Sequence, residues 1–163
     1  MKKILIIYSD EFLTKENPLG GIFQLDQAVH LSENNYKIDI LSAGLLSPKK
    51  FFKRKNYLRC QKVDKINIHR KYLKNIFPSR INILNKIISE KTAIIGLQLF
   101  EEYLKNNPKP DLIHAHDLRY GSFIAYRIFE KYKIPYVITE HNSDILEKKF
   151  PKILIPKVKQ IVN

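Results

Sequence analysis

Asp111-Leu-Ile-His-Ala-His116, the helical stretch Leu118–Lys133 and Ile134-Pro-Tyr-Val-Ile-Thr139 make up the segment that decides the fold. Two short β-prone runs flank a helix, and each ends in polar residues. Parallel neighbouring strands need such a crossover, because the chain must return to the same end of the sheet before the second strand starts. Nearer the start, Lys3-Ile-Leu-Ile-Ile-Tyr8 is a continuous apolar run suited to a strand buried on both faces. A polar loop ending in Pro18-Leu-Gly-Gly21 follows, and from Ile22 to Asn34 the apolar residues fall at helical spacing. Lys37–Leu41 reads as a second strand, and a third lies near Ile66–Tyr72. Ile81–Asn106 is the longest helical pattern, with a break expected near Gly96. The tail from Asp144 reads as helical pieces interrupted by Pro151 and Pro156. Strands alternating with helices predict a single α/β domain with a mostly parallel sheet flanked by helices.

The 163 residues suffice for one domain with a real core. A single cysteine, Cys60, excludes an internal disulfide framework and an all-cysteine metal site. No apolar run approaches the roughly 20 residues of a spanning helix. The run after Met1-Lys2-Lys3 stops at Tyr8, too short for a signal peptide, so a cytoplasmic location is expected.

The net charge of +13 is concentrated: between Leu45 and Lys74, eleven cations stand against one anion, Asp64. Such a window predicts a local patch seeking an anionic partner. Within it, Lys49, Lys50, Phe51, Phe52, Lys53, Arg54 and Lys55 place five cations around two aromatics. That mixture suits insertion at an anionic membrane surface, which predicts peripheral attachment at the inner face of the membrane. Nucleic acid offers similar chemistry through phosphates and stacking. No helix-turn-helix, zinc or aromatic RNA motif accompanies the charge, so no nucleic-acid partner is expected.

In open parallel sheets, ligands bind at the carboxyl ends of the strands. Three polar clusters fall there: Gly20-Gly21, His114 with His116, and Thr139-Glu140-His141. Gly20-Gly21 opens a helix, where bare backbone and free N–H groups suit an anion such as phosphate; a flexible turn is the plainer alternative. No G-x-G-x-x-G is present, so nothing supports NAD or FAD. His114 and His116 are two apart on a strand and share a side. His116 is expected to reach the crevice, as hydrogen-bond donor or base, and His114 to lie wedged under a helix. His-x-His also suits a metal, with Asp117 and His141 as further donors, although strong metal motifs carry more ligands. Asn142, Ser143 or Asp144 are candidate caps for a helix beginning at Ile145. His30 and His69 read as ordinary surface or core residues.

Four pieces in this order carry a family resemblance: Lys3–Tyr8, Pro18-Leu-Gly-Gly-Ile-Phe23 with Asp26-Gln-Ala28, Pro110–Asp117 with Gly121, and Ile134–His141. Together they resemble the N-terminal half of a GT-B glycosyltransferase of family 4, the retaining group that uses nucleotide-sugar donors. The resemblance implies a Rossmann-like acceptor-binding domain over residues 1–163, one half of a GT-B fold. It implies that Gly20 and Gly21 approach the donor phosphates, that His116 lies beside the transferred sugar as the catalytic residue, and that Glu140 and His141 line the same cleft. It implies no cofactor and no required metal. Its partners would be a nucleotide sugar, a saccharide or lipid-linked acceptor, an anionic membrane and a C-terminal donor-binding domain. Family members continue past the point corresponding to Asn163 into that domain, so residues 1–163 are expected to be a truncated piece, inactive alone. The expected role is sugar transfer in cell-surface polysaccharide or glycolipid synthesis. The alternatives are a non-enzymatic nucleotide-sugar or phosphosugar-binding module and, less favoured, a His-x-His metallohydrolase.

Overall fold

The central strand β1 (Lys3–Tyr8) is apolar on both faces, and both faces are covered. A computed structural model of the chain describes residues 1–9, 12, 18–53, 60–76, 82–141, 147 and 149–163. From β1 the chain passes through α1 (Ile22–Glu33), β2 (Lys37–Leu46), α2 (Pro48–Lys53), β3 (Cys60–Val63), β4 (Ile66–Lys74) and α3 (Asn82–Leu104). It continues through β5 (Leu112–His116), a π-helical turn (Asp117–Gly121), α4 (Ser122–Tyr132), β6 (Tyr136–Thr139), a 3-10 turn (Lys152–Leu154) and α5 (Ile155–Val162). The six strands lie in the order β3-β4-β2-β1-β5-β6, and every pair is parallel except β3 with β4. The expected α/β class is observed.

Side-chain alternation divides the core into two layers. Leu5, Ile7, Leu41, Ala43, Ile113 and Ala115 pack with Phe100, Ile124 and Ile128 on the α3–α4 side. Ile4, Ile6, Ile38, Ile40, Ile66 and Ile68 pack with Ala28 and Phe12 on the α1 side. At the amino end of the sheet, Asp39 is fully buried, 3.1 Å from Lys3 Nζ. It also accepts hydrogen bonds from Tyr103 Oη at 2.7 Å and Asn67 Nδ2 at 2.9 Å. Burial pushes the Asp39 carboxyl up, but those bonds and Lys3 prevail and hold it below the usual range. This ion pair lies at the opposite end from the strand-end clusters.

Several expectations need correction. β2 runs past its expected end at Leu41 through Ser42-Ala-Gly-Leu-Leu46, all paired with β4. β3 was not foreseen; its alternation is weak, and it forms the edge of the sheet with Lys62 exposed, a charge placement that discourages edge-to-edge pairing. α3 is unbroken at Gly96. The helix expected from Leu118 starts as a π-turn, and β6 begins at Tyr136 rather than Ile134. The caps proposed at Asn142, Ser143 and Asp144 lie outside the described residues.

The basic window is not one patch. Arg70 is buried, donating from Nε to the Phe12 carbonyl at 3.0 Å and from Nη2 to Gln61 Oε1 at 2.9 Å. Lys71 pairs with Glu102 at 2.7 Å. What remains near α2 is Lys49 and Lys50, both exposed, with Phe51 half-buried and Phe52 exposed beneath Lys74 Nζ, 4.5 Å from its ring. The Lys53 side chain, Arg54 and Lys55 lie outside the described residues.

Candidate functional site

The chain builds β1, β2 and β4 to one side of the sheet, then β5 and β6 to the other, so the connections diverge between β1 and β5. A crevice outside the carboxyl ends of the strands at such a switch point is the general ligand position of open α/β sheets. Ser9 and Asp117 meet across it, the Ser9 hydroxyl donating to Asp117 Oδ2. A crevice of about 440 Å³ opens here on the α3 side. Its polar wall includes Lys50, Asn75, Asp117, Arg119, Tyr120 and Glu140, and its apolar part Leu45, Ile88 and Phe150.

Asp117 organises this wall. Its backbone is left-handed, with φ of 73°, and its Oδ1 accepts the Tyr120 N–H at 2.6 Å and the Gly121 N–H at 3.3 Å. Glu140 Oε2 accepts the Leu118 N–H at 2.7 Å. The two carboxylates thus satisfy N–H groups that a helix start leaves without intrahelical partners. Burial raises the Asp117 carboxyl above the usual range, further helped by Glu140 and opposed by its hydrogen bonds. Gly121 allows the turn to fold back onto the strand, since a Cβ there would collide with the His116 carbonyl. Arg119 and Tyr120 are thereby projected to the crevice, where a guanidinium and a phenol suit a polyhydroxylated or anionic ligand.

The histidines form a second group, as the alternation required: His114 and His116 stack with centroids 4.5 Å apart. His141 stacks on the other face of the group, its centroid 5.1 Å from His116, with the rings 7° from parallel. His114 Nε2 is 2.7 Å from Thr139 Oγ1, and His116 Nδ1 is 2.9 Å from His141 Nε2. His116 Nε2 is buried without a hydrogen-bond partner among the described residues. The expected division of labour is corrected in one respect. His116 is the more buried of the strand pair, 3% exposed against 9% for His114, and it does not line the 440 Å³ crevice. Burial, then the neighbouring His114 and His141, brings its imidazole down to about 3. The ring is therefore neutral near pH 7. Among the described residues no group of three or more His, Cys, Asp or Glu side chains is arranged to hold a metal ion, the stacked histidines included.

Gly20 and Gly21 form a third group. Gly21 caps α1 with φ of 78°, and a Cβ there would strike the Phe12 ring. Packing and backbone conformation thus already require a glycine at 21. Of the residues selected from sequence, the structure brings His116 and His141 into contact and places Glu140 and Lys50 on the crevice; Gly20 and Gly21 are not among its lining. Ser9, Arg119 and Tyr120 escaped the sequence reading. Nothing in Leu118-Arg-Tyr120 signals the last two; the left-handed backbone at Asp117 and the close approach at Gly121 place them.

A family model described as Glycosyltransferase Family 4 matches residues 23–162. No curated protein matches significantly. Among solved structures, sucrose-phosphate synthase from Thermosynechococcus elongatus superposes with a TM-score of 0.63 at 11% identity, over 99% of this chain and 39% of its own. The catalytic domain of starch synthase IV from Arabidopsis thaliana, bound to ADP and acarbose, gives 0.54 at 14% identity, over 88% and 34%. A UDP-glucosyltransferase from Polygonum tinctorium capable of glucosylating indoxyl gives 0.55 at 10% identity, over 99% and 34%. These likenesses show the fold, and the chain spans between 34% and 39% of the length of those structures.

Proposed function

The chain belongs to glycosyltransferase family 4, and from that premise we propose that residues 1–163 are the acceptor-side domain of an enzyme that transfers a sugar from a nucleotide-sugar donor, with retention, to a saccharide or lipid-linked acceptor. The observation that carries this reading is that a mixed-charge crevice and a neutral, partly unsatisfied imidazole flank the β1/β5 switch point, one on the α3 side of the sheet and the other on the α1 side. The crevice takes the acceptor: Arg119, Tyr120 and Lys50 offer hydrogen bonds to hydroxyl or phosphate oxygens. His116, whose Nε2 is the atom left without a partner, is assigned the contact with the transferred sugar, with its Nδ1 held against His141. In this reading Gly20, Gly21 and His141 serve the donor, and Glu140, on the crevice wall, serves it from the acceptor side. The groups that stabilise the leaving diphosphate, usually the largest catalytic term, lie in a donor-binding domain outside these residues. No cofactor enters the reaction.

Lys49, Lys50, Phe51, Phe52, Lys53, Arg54 and Lys55 face an anionic membrane in this reading, at its cytoplasmic side, in cell-surface polysaccharide or glycolipid synthesis. No helix among the described residues is long and apolar enough to cross a membrane.

Kinetics of two alanine variants test the site, with the chain continued by a family 4 donor-binding domain. His116→Ala is expected to lower kcat by about a hundredfold or more, the usual scale for losing one preorganised transition-state contact. His114→Ala, whose ring already has Thr139, is expected to lose far less. Equal small losses in two folded variants would contradict the assignment.

A further inference from the structure

Beside the crevice runs a second depression, a groove of about 270 Å³ between the end of β4 and the face of α3. Its walls are Leu45, Leu73, Ile76, Ile94 and Ile95, with Lys74 and Lys91 among them. Leu73, Ile76 and Ile94 are 47%, 68% and 50% exposed, a cluster of large aliphatic side chains left facing water. Contiguous apolar surface rimmed by polar groups marks an interaction site more often than a defect.

Two features say what the groove is for. It adjoins the crevice: Leu45 lines both, and the consecutive residues Lys74 and Asn75 divide between them, Lys74 on the groove and Asn75 on the crevice. The second feature is charge. Lysines 74 and 91 border the apolar floor, and Lys50 stands in the crevice, so an apolar ligand lying here would carry anionic groups past cations. A polar crevice joined to an apolar groove through a basic junction has the shape of one amphiphile.

We propose that the acceptor is a phosphate-bearing lipid, its hydrocarbon chain in the β4–α3 groove, its phosphate at the Lys74 junction and its polar head in the crevice. This deepens the acceptor-side reading and rests on it. The length of β2 makes the arrangement possible, because only its extension beyond Leu41 brings Leu45 between the two depressions. A soluble saccharide would use the crevice and leave the groove bare.

Binding of octyl phosphate and butyl phosphate to the 163-residue chain, at concentrations where neither forms micelles, tests this. Each buried methylene is worth roughly fourfold in affinity. With an open groove covering about half of the four added carbons, octyl phosphate is expected to bind on the order of tenfold more tightly. Leu73→Ser with Ile94→Ser should abolish that advantage, weakening octyl phosphate far more than butyl phosphate; a thermal melt verifies the fold, and Ile76→Ser, at the most exposed wall position, provides a second variant. Equal affinity for the two phosphates would overturn the proposal. So would an advantage that both variants retain, or a dimer that the substitutions dissociate, since the groove would then belong to a second copy of the chain. The assay involves no sugar transfer, so the groove assignment can fail while transfer to soluble acceptors stands, and the reverse.

Discussion

Gly21 combines φ of 78° with a Cβ direction blocked by the Phe12 ring. That ring cannot easily yield: the Phe12 N–H donates to Tyr72 Oη at 3.1 Å, and its carbonyl accepts from Arg70. Gly21→Ala is therefore expected to destabilise the domain by about 1–3 kcal/mol, measured by denaturant unfolding. The loss should shrink in a Phe12→Leu background, where the ring is gone; an undiminished loss would assign the whole cost to φ. His116 adds a pH signature. Unfolded, its imidazole takes up a proton near 6.5, whereas in the fold it waits until about 3. Its contribution to stability is thus complete above pH 6.5 and is lost as pH falls toward 3, by about 1.4 kcal/mol for each pH unit. His116→Asn should flatten the acid limb of a stability–pH curve; an unaltered limb would mean that the ring titrates normally. Alternation made the shared side of His114 and His116 legible in the sequence. Their burial order was not, because it depends on His141 folding back from beyond β6.

Among the elements, α3 packs tightly on α4 at Gly96, where a Cβ would lie 2.5 Å from Ile124 Cγ2. In an exposed helix, Gly→Ala gains about 1 kcal/mol. Here the sign should reverse: Gly96→Ala is expected to lower stability by about 1–3 kcal/mol through overpacking. An Ile124→Ala background should turn the same change neutral or favourable, which paired thermal melts would reveal. The glycine that read as a helix break is instead a packing residue, and only the neighbouring helix tells the two apart. The buried strands β1 and β5 were legible because apolar runs between polar ends have few other uses. β3 and the second half of β2 were not; Ser42-Ala-Gly44 becomes strand through pairing with β4, remote in sequence, and Cys60–Val63 through a hairpin with β4 that its weak alternation does not announce.

For the whole molecule, the sequence showed a net charge of +13 but not its disposition. Folding turns Arg70 into an anchor for Phe12, sets Lys71 against Glu102, and leaves Lys50 on the crevice and Lys74 on the groove. The polar clusters lie at the strand ends, as the alternating pattern implied, yet the crevice lies on the α3 side and the stacked histidines on the α1 side. Acceptor and donor contacts would thus approach the switch point from two faces of one sheet. The central claim is that these 163 residues hold the acceptor half of a sugar-transfer site, with the charge stabilisation for the leaving group elsewhere. Transfer of labelled sugar from a nucleotide-sugar donor, measured on the 163-residue chain alone and on the chain continued by a family 4 donor-binding domain, tests it directly. The account predicts no turnover by the chain alone and turnover by the continued chain. Robust turnover by the 163 residues unaided would contradict it, as would none in the continued chain when both halves are folded and both substrates bind.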